Sequence, residues 1–410
     1  GTGAGDNGIG SKTAGGMMSN TYFPQPVFGA AAGSRVLAAP PKYIQGPGVL
    51  QHVAGFFAAS GFARLGVLAS QRGHATQAKA IAEHLGAAGT EVVSSVFQGE
   101  CSLEEIEAQA DSLASQNIQC LIAVGGGKCV DAGKCIAHRL AVPVVIVPTL
   151  ASNDAPTSAV SVLYTPAGVA SGAEFFPHNP LMVIVDTEVI AAAGERYLVA
   201  GMGDAMATWY EARVCQANPA ARNTLGTRPT LIAGMMGELC ANTLYTSGLE
   251  AAAAVRAGQV NQALEDVVEA NTLLSGIGFE SGGLAGAHGY AQGYTTLPHV
   301  EAQYLHGEMV AMGVIAQLML EGDVAEARRV TEFFVQLGLP VHLGQLQLDE
   351  AASDQIDSVV AGTLEFAPLH NLQVPVDAAA VKQALLAGSE LGRHVSGELG
   401  DTAYSRLQAA

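Results

Sequence analysis

The chain has 410 residues, of which 49% are hydrophobic and 14% charged, and its 19 basic and 37 acidic residues give a net charge of −18 at pH 7. This length exceeds the size at which one hydrophobic core keeps growing, so two domains are expected, and the apolar fraction excludes a disordered chain. The negative charge argues against nucleic-acid and anionic-membrane partners, and no apolar run is long enough for a membrane span.

Residues 1–38 are rich in Gly, Ala, Ser and Asn and carry almost no charge. We predict a flexible tail here and exclude it from the fold. Met17-Met18 would suit a natural start behind an expression tag, and a targeting remnant is the alternative. Six cysteines without a CxxC pair indicate reduced thiols. A cytoplasmic location is therefore expected, or an organelle matrix if the tail is a targeting remnant.

Short β-like runs alternate with helical patterns between residues 39 and 190. The spacing of apolar residues predicts helices over 76–85 and 103–114. Strands are predicted over 64–69, 91–97, 119–124, 142–147 and 181–186. This alternation is typical of an α/β domain with a parallel sheet.

The residue composition changes after residue 190, where runs of β-branched residues are replaced by segments rich in Ala, Leu, Glu and Gln. Helical segments are predicted over 204–216, 251–276 and 306–321. We therefore predict an all-helical C-terminal domain over 191–410.

A glycine-rich run, Gly125-Gly126-Gly127-Lys128, follows a predicted strand and precedes a helical pattern. Glycines allow close approach of the backbone, and the free N–H groups that open a helix favour an anion. The pattern indicates a cradle for a dinucleotide pyrophosphate. A strand-to-helix turn that binds nothing is the alternative reading.

The next strand is followed by a proline-bounded polar loop, residues 148–158, which contains Thr149, Ser152, Asp154 and Ser158. Loops at the ends of parallel strands commonly line a ligand crevice. Ser, Asn and Asp also form ordinary turns. The position after the glycine run favours a binding site.

Three potential metal ligands lie in the helical half: Asp204, His288 and His306. One carboxylate and two imidazoles leave coordination positions open, which suits a catalytic Zn²⁺ or Fe²⁺. Spacing alone does not decide this, because Asp204 would also serve as a helix cap and the histidines as core or surface residues.

From Lys42 onward these segments together resemble the glycerol dehydrogenases of the iron-containing (type III) alcohol dehydrogenase superfamily. The resemblance is carried by several motifs in family order. They are residues 42–46 (KYIQG), 99–102 (GECS), 125–128 (GGGK), 148–158, 162–164 (VLY), 203–205 (GDA), 277–284 (IGFESGGL) and 306–308 (HGE).

The resemblance implies a dinucleotide-binding α/β domain over 39–190, a helical metal- and substrate-binding domain over 191–410, and a dehydroquinate synthase-like fold. It implies catalytic roles for Asp154, Asp204, His288 and His306, with the last three binding the metal. Asp154 and Phe279 would contact the substrate. The cofactor-binding positions it implies are Ser70, Gly125, Gly126, Gly127, Lys128, Asp131, Thr149, Ser152, Ser158, Val160 and Tyr164.

The implied reaction is metal-dependent hydride transfer between NAD(P) and a small polyol, with glycerol oxidised to dihydroxyacetone. One divalent metal is expected, Zn rather than Fe. The resemblance also implies a homo-oligomer, an octamer. Alternatives are the same chemistry on another small vicinal diol or hydroxyketone, or a catalytically impaired homologue with a structural or assembly role.

Three positions depart from the family pattern. Ser70-Gln71-Arg72 stands where the family carries a ribose-binding aspartate, so NADP is possible beside NAD. Ala291 replaces a histidine and Met309 replaces a lysine. Both replacements raise the possibility that proton transfer is rerouted or impaired.

Overall fold

The computed structural model describes residues 33–410 and contains a six-stranded parallel sheet in the first half of the chain. Its strands run in the order β1-β8-β5-β4-β2-β3, and β6 and β7 form a separate antiparallel hairpin. The strands are β1 (Tyr43–Gly46), β2 (Arg64–Ser70), β3 (Glu91–Phe97), β4 (Cys120–Gly125), β5 (Val144–Pro148), β6 (Val160–Tyr164), β7 (Ala170–Phe175) and β8 (Met182–Asp186). The five predicted strands are confirmed, whereas β1 and the hairpin were not predicted.

Helices cover both faces of the sheet and make up the second half of the described chain. In the first half they are α1 (Val53–Phe57), α2 (Gln71–Ala75), α3 (Gln77–Ala87), α4 (Leu103–Ala114) and α5 (Gly127–Arg139). In the second half they are α6 (Thr187–Ala193), α7 (Glu195–Ala217), α8 (Leu231–Arg256), α9 (Gln262–Glu269), α10 (Ser275–Gly282), α11 (Gly286–Thr295), α12 (Pro298–Gln303), α13 (His306–Glu321), α14 (Val324–Leu337), α15 (Ser353–Leu364), α16 (Ala378–Leu399) and α17 (Thr402–Gln408). The predicted α/β domain followed by a helical domain is confirmed.

The sheet is buried on both sides, as its continuous apolar strands require. In β4, Cys120, Ile122 and Val124 belong to the core under α1 and α3, while Leu121 and Ala123 belong to the core under α4 and α5. This second core continues without interruption into the helical domain.

The strand order reverses between β2 and β4. In the sheet, β3 lies beside β2 on one side of this point, and β5 and then β8 follow β4 on the other side. Ligands of open α/β sheets bind in the crevice outside the carboxyl ends of the strands at such a switch point. Ser70 ends β2 and Gly125 ends β4, so both lie at this crevice.

Helices α7 and α13 pack with their backbones in close contact, through glycines. A Cβ atom built on Gly203 would lie 2.4 Å from the carbonyl oxygen of Gly307, and one built on Gly307 would lie 1.7 Å from the carbonyl oxygen of Ala200. Only glycine fits at these positions. The contact brings Asp204 on α7 next to His306 at the start of α13.

The helix predicted over 251–276 is wrong as one continuous element. Helix α8 ends at Arg256, Gly258 adopts a left-handed conformation (φ 67°), and Asn261 caps the start of α9. A π-helical turn, Ala270–Leu274, then connects α9 to α10. The glycine and the capping asparagine break a segment that its composition alone makes helical.

Most of the predicted tail, residues 1–32, lies outside the described residues. The remaining part contacts the helical domain. The Arg228 N–H donates to the carbonyl oxygen of Ser34, and the Ala38 N–H donates to the Ser281 hydroxyl at 2.9 Å. Among residues 33–410, no helix combines the length and hydropathy needed for a membrane span.

Candidate metal and cofactor site

Asp204, His288 and His306 converge although 102 residues separate the first from the last. The Asp204 Oδ1 atom lies 3.2 Å from His288 Nε2 and 3.3 Å from His306 Nε2. One potential ligand atom from each residue lies within 4.8 Å of the others. Three protein ligands that leave open positions suit a catalytic metal better than a closed structural one.

The charges at this cluster suit a cation. Asp204 is fully buried, and its Oδ1 atom has no hydrogen-bond partner within the described residues. Burial works to raise the pKa of Asp204, but His306 and His288 hold it well below its usual range. Burial works to lower the pKa of His288, but Glu211 and Asp204 raise it well above its ordinary value. A divalent metal would take the position where these groups otherwise hold protons.

Glu211 lies behind His288, on α7 two turns after Asp204, and is fully buried. Its Oε2 atom lies 2.7 Å from His288 Nδ1, on the side of the ring opposite Asp204. Its Oε1 atom accepts the backbone N–H groups of Ala285 and His288 at 2.9 Å each. Glu211 therefore joins α7 to the start of α11.

Asp154, from the loop after β5, adjoins the cluster. Its backbone N–H donates to Asp204 Oδ2 at 3.1 Å, and its Oδ2 atom accepts the Ser275 hydroxyl at 2.6 Å. Ser275 in turn lies 2.8 Å from the hydroxyl of Thr208. Burial and the nearby Asp204 raise the pKa of Asp154 well above its usual range. Asp154 thus connects the α/β domain to the metal-ligand cluster.

The start of α13, where His306 is the first residue, is fixed by Glu308. Glu308 accepts the Leu305 backbone N–H at 3.0 Å, in a capping arrangement. It also pairs with the Arg196 guanidinium of α7 at 2.7 Å. The His306 side chain is half exposed, so the site opens to solvent on this side.

The glycine run and the loop over 148–158 lie against each other. The Thr149 N–H donates to the carbonyl oxygen of Gly125 at 3.0 Å. A Cβ atom on Gly127 would lie 2.7 Å from Asn153, and one on Gly126 would lie 3.1 Å from Leu150. The glycines therefore allow the two loops to pack closely, in addition to leaving space in the crevice.

Several predicted cofactor residues have their polar groups occupied within the protein. Asp131 accepts the backbone N–H of Val162 at 3.0 Å and lies 3.6 Å from the buried ammonium of Lys134. The same ammonium donates to the Ser158 hydroxyl and to the Val160 carbonyl oxygen. These residues form one buried network that holds the hairpin against α5.

Lys128, at the start of α5, has an acidic partner. Its ammonium lies 2.7 Å and 2.8 Å from the two carboxylate oxygens of Glu100, and 4.5 Å above the centre of the Tyr164 ring. Glu100 would therefore offset part of the attraction of Lys128 for an anion. Glu100 lies in the GECS motif of the family resemblance, which implies no role for it.

The remaining predicted residues lie at the edges of the site. Ser152 is buried two residues before Asp154, and Ser70 accepts the backbone N–H of Gly73 at 3.2 Å. Phe279 is partly buried on α10, one turn after Ser275. The contacts of the described residues connect Ser275 rather than Phe279 to Asp154.

Comparisons with known proteins identify the family of the chain. Residues 40–187 match the family described as iron-containing alcohol dehydrogenase. A glycerol dehydrogenase from Thermotoga maritima is 44% identical over 73% of this chain and 82% of its own length. The chain belongs to the iron-containing alcohol dehydrogenase family. The resemblance found in the sequence is thereby confirmed, and the protein is an alcohol dehydrogenase of this family.

Two further relatives indicate the range of this family. A glycolaldehyde reductase from Halobacterium salinarum is 41% identical over 76% of this chain and 86% of its own length. The crystal structure of a glycerol dehydrogenase from Schizosaccharomyces pombe is 33% identical, covers 90% of this chain and 94% of its own, and superposes with a TM-score of 0.84. The fold is therefore shared over nearly the whole described chain.

Proposed function

We propose that this alcohol dehydrogenase interconverts glycerol and dihydroxyacetone, with NAD as the hydride acceptor and a divalent metal at the Asp204 cluster. The observation that carries the proposal is the convergence of Asp204, His288 and His306 beside Asp154 at the edge of the cofactor domain. Glycerol dehydrogenases at 34–44% identity among the curated relatives support the polyol substrate.

The roles of the side chains follow from their chemistry. Asp204, His288 and His306 would hold the metal, which when bound polarises the alcohol oxygen while the nicotinamide ring accepts the hydride. Asp154, anchored by Ser275, would bind a substrate hydroxyl beside them. A vicinal diol suits the site, because two adjacent oxygens can be bound at once.

The cofactor would lie across the switch point between β2 and β4. Its pyrophosphate would lie at Gly125–Gly127, with Lys128, Thr149, Ser152 and Tyr164 around it. Asp131, Ser158 and Val160 would support this site through their buried network with Lys134. Ser70 and the exposed Arg72 leave the ribose edge without a carboxylate at the end of β2, so we propose that NADP is accepted beside NAD.

The metal and the assembly are proposals of the same kind. Two imidazoles and one carboxylate suit both Zn²⁺ and Fe²⁺, and we propose Zn²⁺. We propose a homo-octamer. An interface between subunits is supported by exposed apolar side chains along one face of α8: Leu231 (72%), Ile232 (47%), Met235 (68%) and Leu239 (54%). We propose a cytoplasmic enzyme whose two domains divide near residue 190, within α6.

The test is cofactor reduction by the metal-replete protein with glycerol, 1,2-propanediol and 2,3-butanediol at alkaline pH, before and after chelation. We expect glycerol oxidation that is lost on chelation and restored by Zn²⁺ more fully than by Fe²⁺. Asp204→Ala and His288→Ala should lose the metal and the activity while the α/β domain stays folded. Full metal content and activity in either variant would contradict the proposed ligands.

The other functions are less well supported. Another diol or hydroxyketone substrate, which the glycolaldehyde reductase relative illustrates, would be recognised in the same panel by a higher kcat/KM than for glycerol. A structural or assembly role without turnover is not favoured, because all four proposed catalytic residues are present and adjacent. Ala291 and Met309 are both buried, and neither side chain carries an ionisable group.

A further inference from the structure

The buried carboxylate of Glu211 is the candidate that the contacts around the site support most strongly. Its carboxylate is bonded at the start of α11: it accepts the backbone N–H groups of Ala285, which precedes the helix, and of His288, and it pairs with the His288 ring. Glu211 stands 77 residues before His288 in the chain, and its side chain is fully buried. Burial of a carboxylate costs folding free energy unless both oxygens have hydrogen-bond partners. A buried carboxylate with such partners therefore indicates that its hydrogen-bond acceptors have a role at the site.

The bond to His288 decides which ring nitrogen carries the proton. A carboxylate that already accepts two backbone bonds can only accept from the imidazole, so Nδ1 must be the protonated nitrogen. In the neutral ring that binds a metal, the lone pair is then on Nε2. That atom is the one that lies 3.2 Å from Asp204 Oδ1, within the metal-ligand cluster.

We propose that Glu211 is a positioning residue for the metal site, which fixes the tautomer and the orientation of His288 and makes Nε2 a stronger ligand. The inference rests on the proposed metal site but adds a residue that acts through another. Carboxylate–histidine–metal arrangements of this kind commonly alter metal affinity 10–100-fold when the carboxylate is changed.

A purely structural role would require only the two backbone bonds, and one substitution separates the two roles. In Glu211→Gln the amide oxygen still accepts the N–H groups of Ala285 and His288. The amide NH₂ group, however, faces His288 Nδ1 as a donor. Nδ1 must then accept, the ring proton moves to Nε2, and the nitrogen that faces the metal loses its lone pair.

The experiment measures Zn²⁺ affinity by competition with a chromophoric chelator, and the visible spectrum of the Co²⁺-substituted protein. We expect Glu211→Gln to bind Zn²⁺ about 10–100-fold more weakly, with an altered Co²⁺ spectrum. Glu280→Gln is the matched control. Glu280 is also buried and accepts the Ala159 N–H and the Asn179 amide, but neither of its partners is an imidazole. It should keep the wild-type affinity and spectrum.

If Glu211→Gln does not fold, Glu211→Asp replaces it, because it keeps the acceptor and shortens its reach, and we expect a smaller loss in the same direction. Wild-type affinity and spectrum in the folded variant would overturn this inference alone. A wild-type chain that binds no divalent metal would overturn the proposed function as well.

Discussion

The glycine contact between α7 and α13 makes a sharp prediction about the metal site. In Gly307→Ala the new Cβ atom would lie 1.7 Å from the carbonyl oxygen, 2.5 Å from the carbonyl carbon and 3.2 Å from the Cα of Ala200. All three are backbone atoms, so no side chain can turn away. Since real Cβ contacts do not fall below 3.0 Å, the two helices must separate by about 1.3 Å.

This separation acts directly on the ligands. Asp204 lies one turn after Ala200 on α7, and His306 immediately precedes Gly307 on α13. Metal–ligand distances tolerate only about ±0.2 Å, so a shift of this size should lower Zn²⁺ affinity at least ~10-fold. Overpacking should also cost about 1–3 kcal/mol of unfolding free energy.

The measurements are Zn²⁺ affinity by chelator competition and stability by urea denaturation of the metal-free protein. Gly397→Ala in α16 is the control, because a Cβ there meets no atom within 4 Å. It should leave Zn²⁺ affinity unchanged and, through helix propensity, add up to ~1 kcal/mol of stability. Wild-type Zn²⁺ affinity in Gly307→Ala would refute the view that this contact sets the ligand geometry.

Three further predictions concern stability, cofactor choice and assembly. Burial raises the pKa of Glu280 to about 7 from 4.5, so its contribution to stability is complete below pH 4.5 and is lost as the pH rises through 7. The unfolding free energy of wild type relative to Glu280→Gln should therefore fall by about 3 kcal/mol between roughly pH 4 and pH 8, and a pH-independent difference would contradict this. Ser70→Asp should weaken NADP⁺ binding at least ~10-fold in a fluorescence titration while NAD⁺ binding is kept or improved, because the new carboxylate repels a 2′-phosphate; equal losses for both cofactors would refute the assignment. Met235→Lys should lower the mass measured by light scattering, whereas Leu399→Lys, at an exposed apolar position outside α8, should not. An unchanged mass in Met235→Lys would contradict an interface at α8.

The sequence predicted those parts of the fold that depend on local pattern. The strands over 64–69 and 91–97 and the helices over 103–114 and 306–321 lie where the periodicity indicates, within one residue at each end. The hairpin of β6 and β7 was missed because β7 is rich in Ala, Ser and Gly and lacks a strand pattern, which left β6 without a recognisable partner strand. It is held instead by the buried network of Asp131 and Lys134, which only the folded chain brings together.

The same division applies to the candidate site. Asp204, His288 and His306 were predicted from their residue types and from the family resemblance, and they are adjacent in the fold. Glu211 and Ser275 were not predicted, since a Glu or Ser within a helix has no local pattern that separates a buried partner from a surface residue. A search for a carboxylate on the same face of α7 as Asp204, about two turns away, would have found Glu211.

Burial distinguishes this cluster from an ordinary helix cap or a surface group of acids and histidines. Asp204 and Glu211 are fully buried, and the side chains that face them with a possible positive charge are the imidazoles of His288 and His306. A protein interior retains that much negative charge only where positive charge compensates for it. Protons on the imidazoles can do so in part, but neither Nε2 atom, at 3.2 Å and 3.3 Å, makes a hydrogen bond to Asp204 Oδ1. A divalent cation would both compensate the negative charge and coordinate Asp204 Oδ1, because one ligand atom from each of the three residues lies within 4.8 Å of the others.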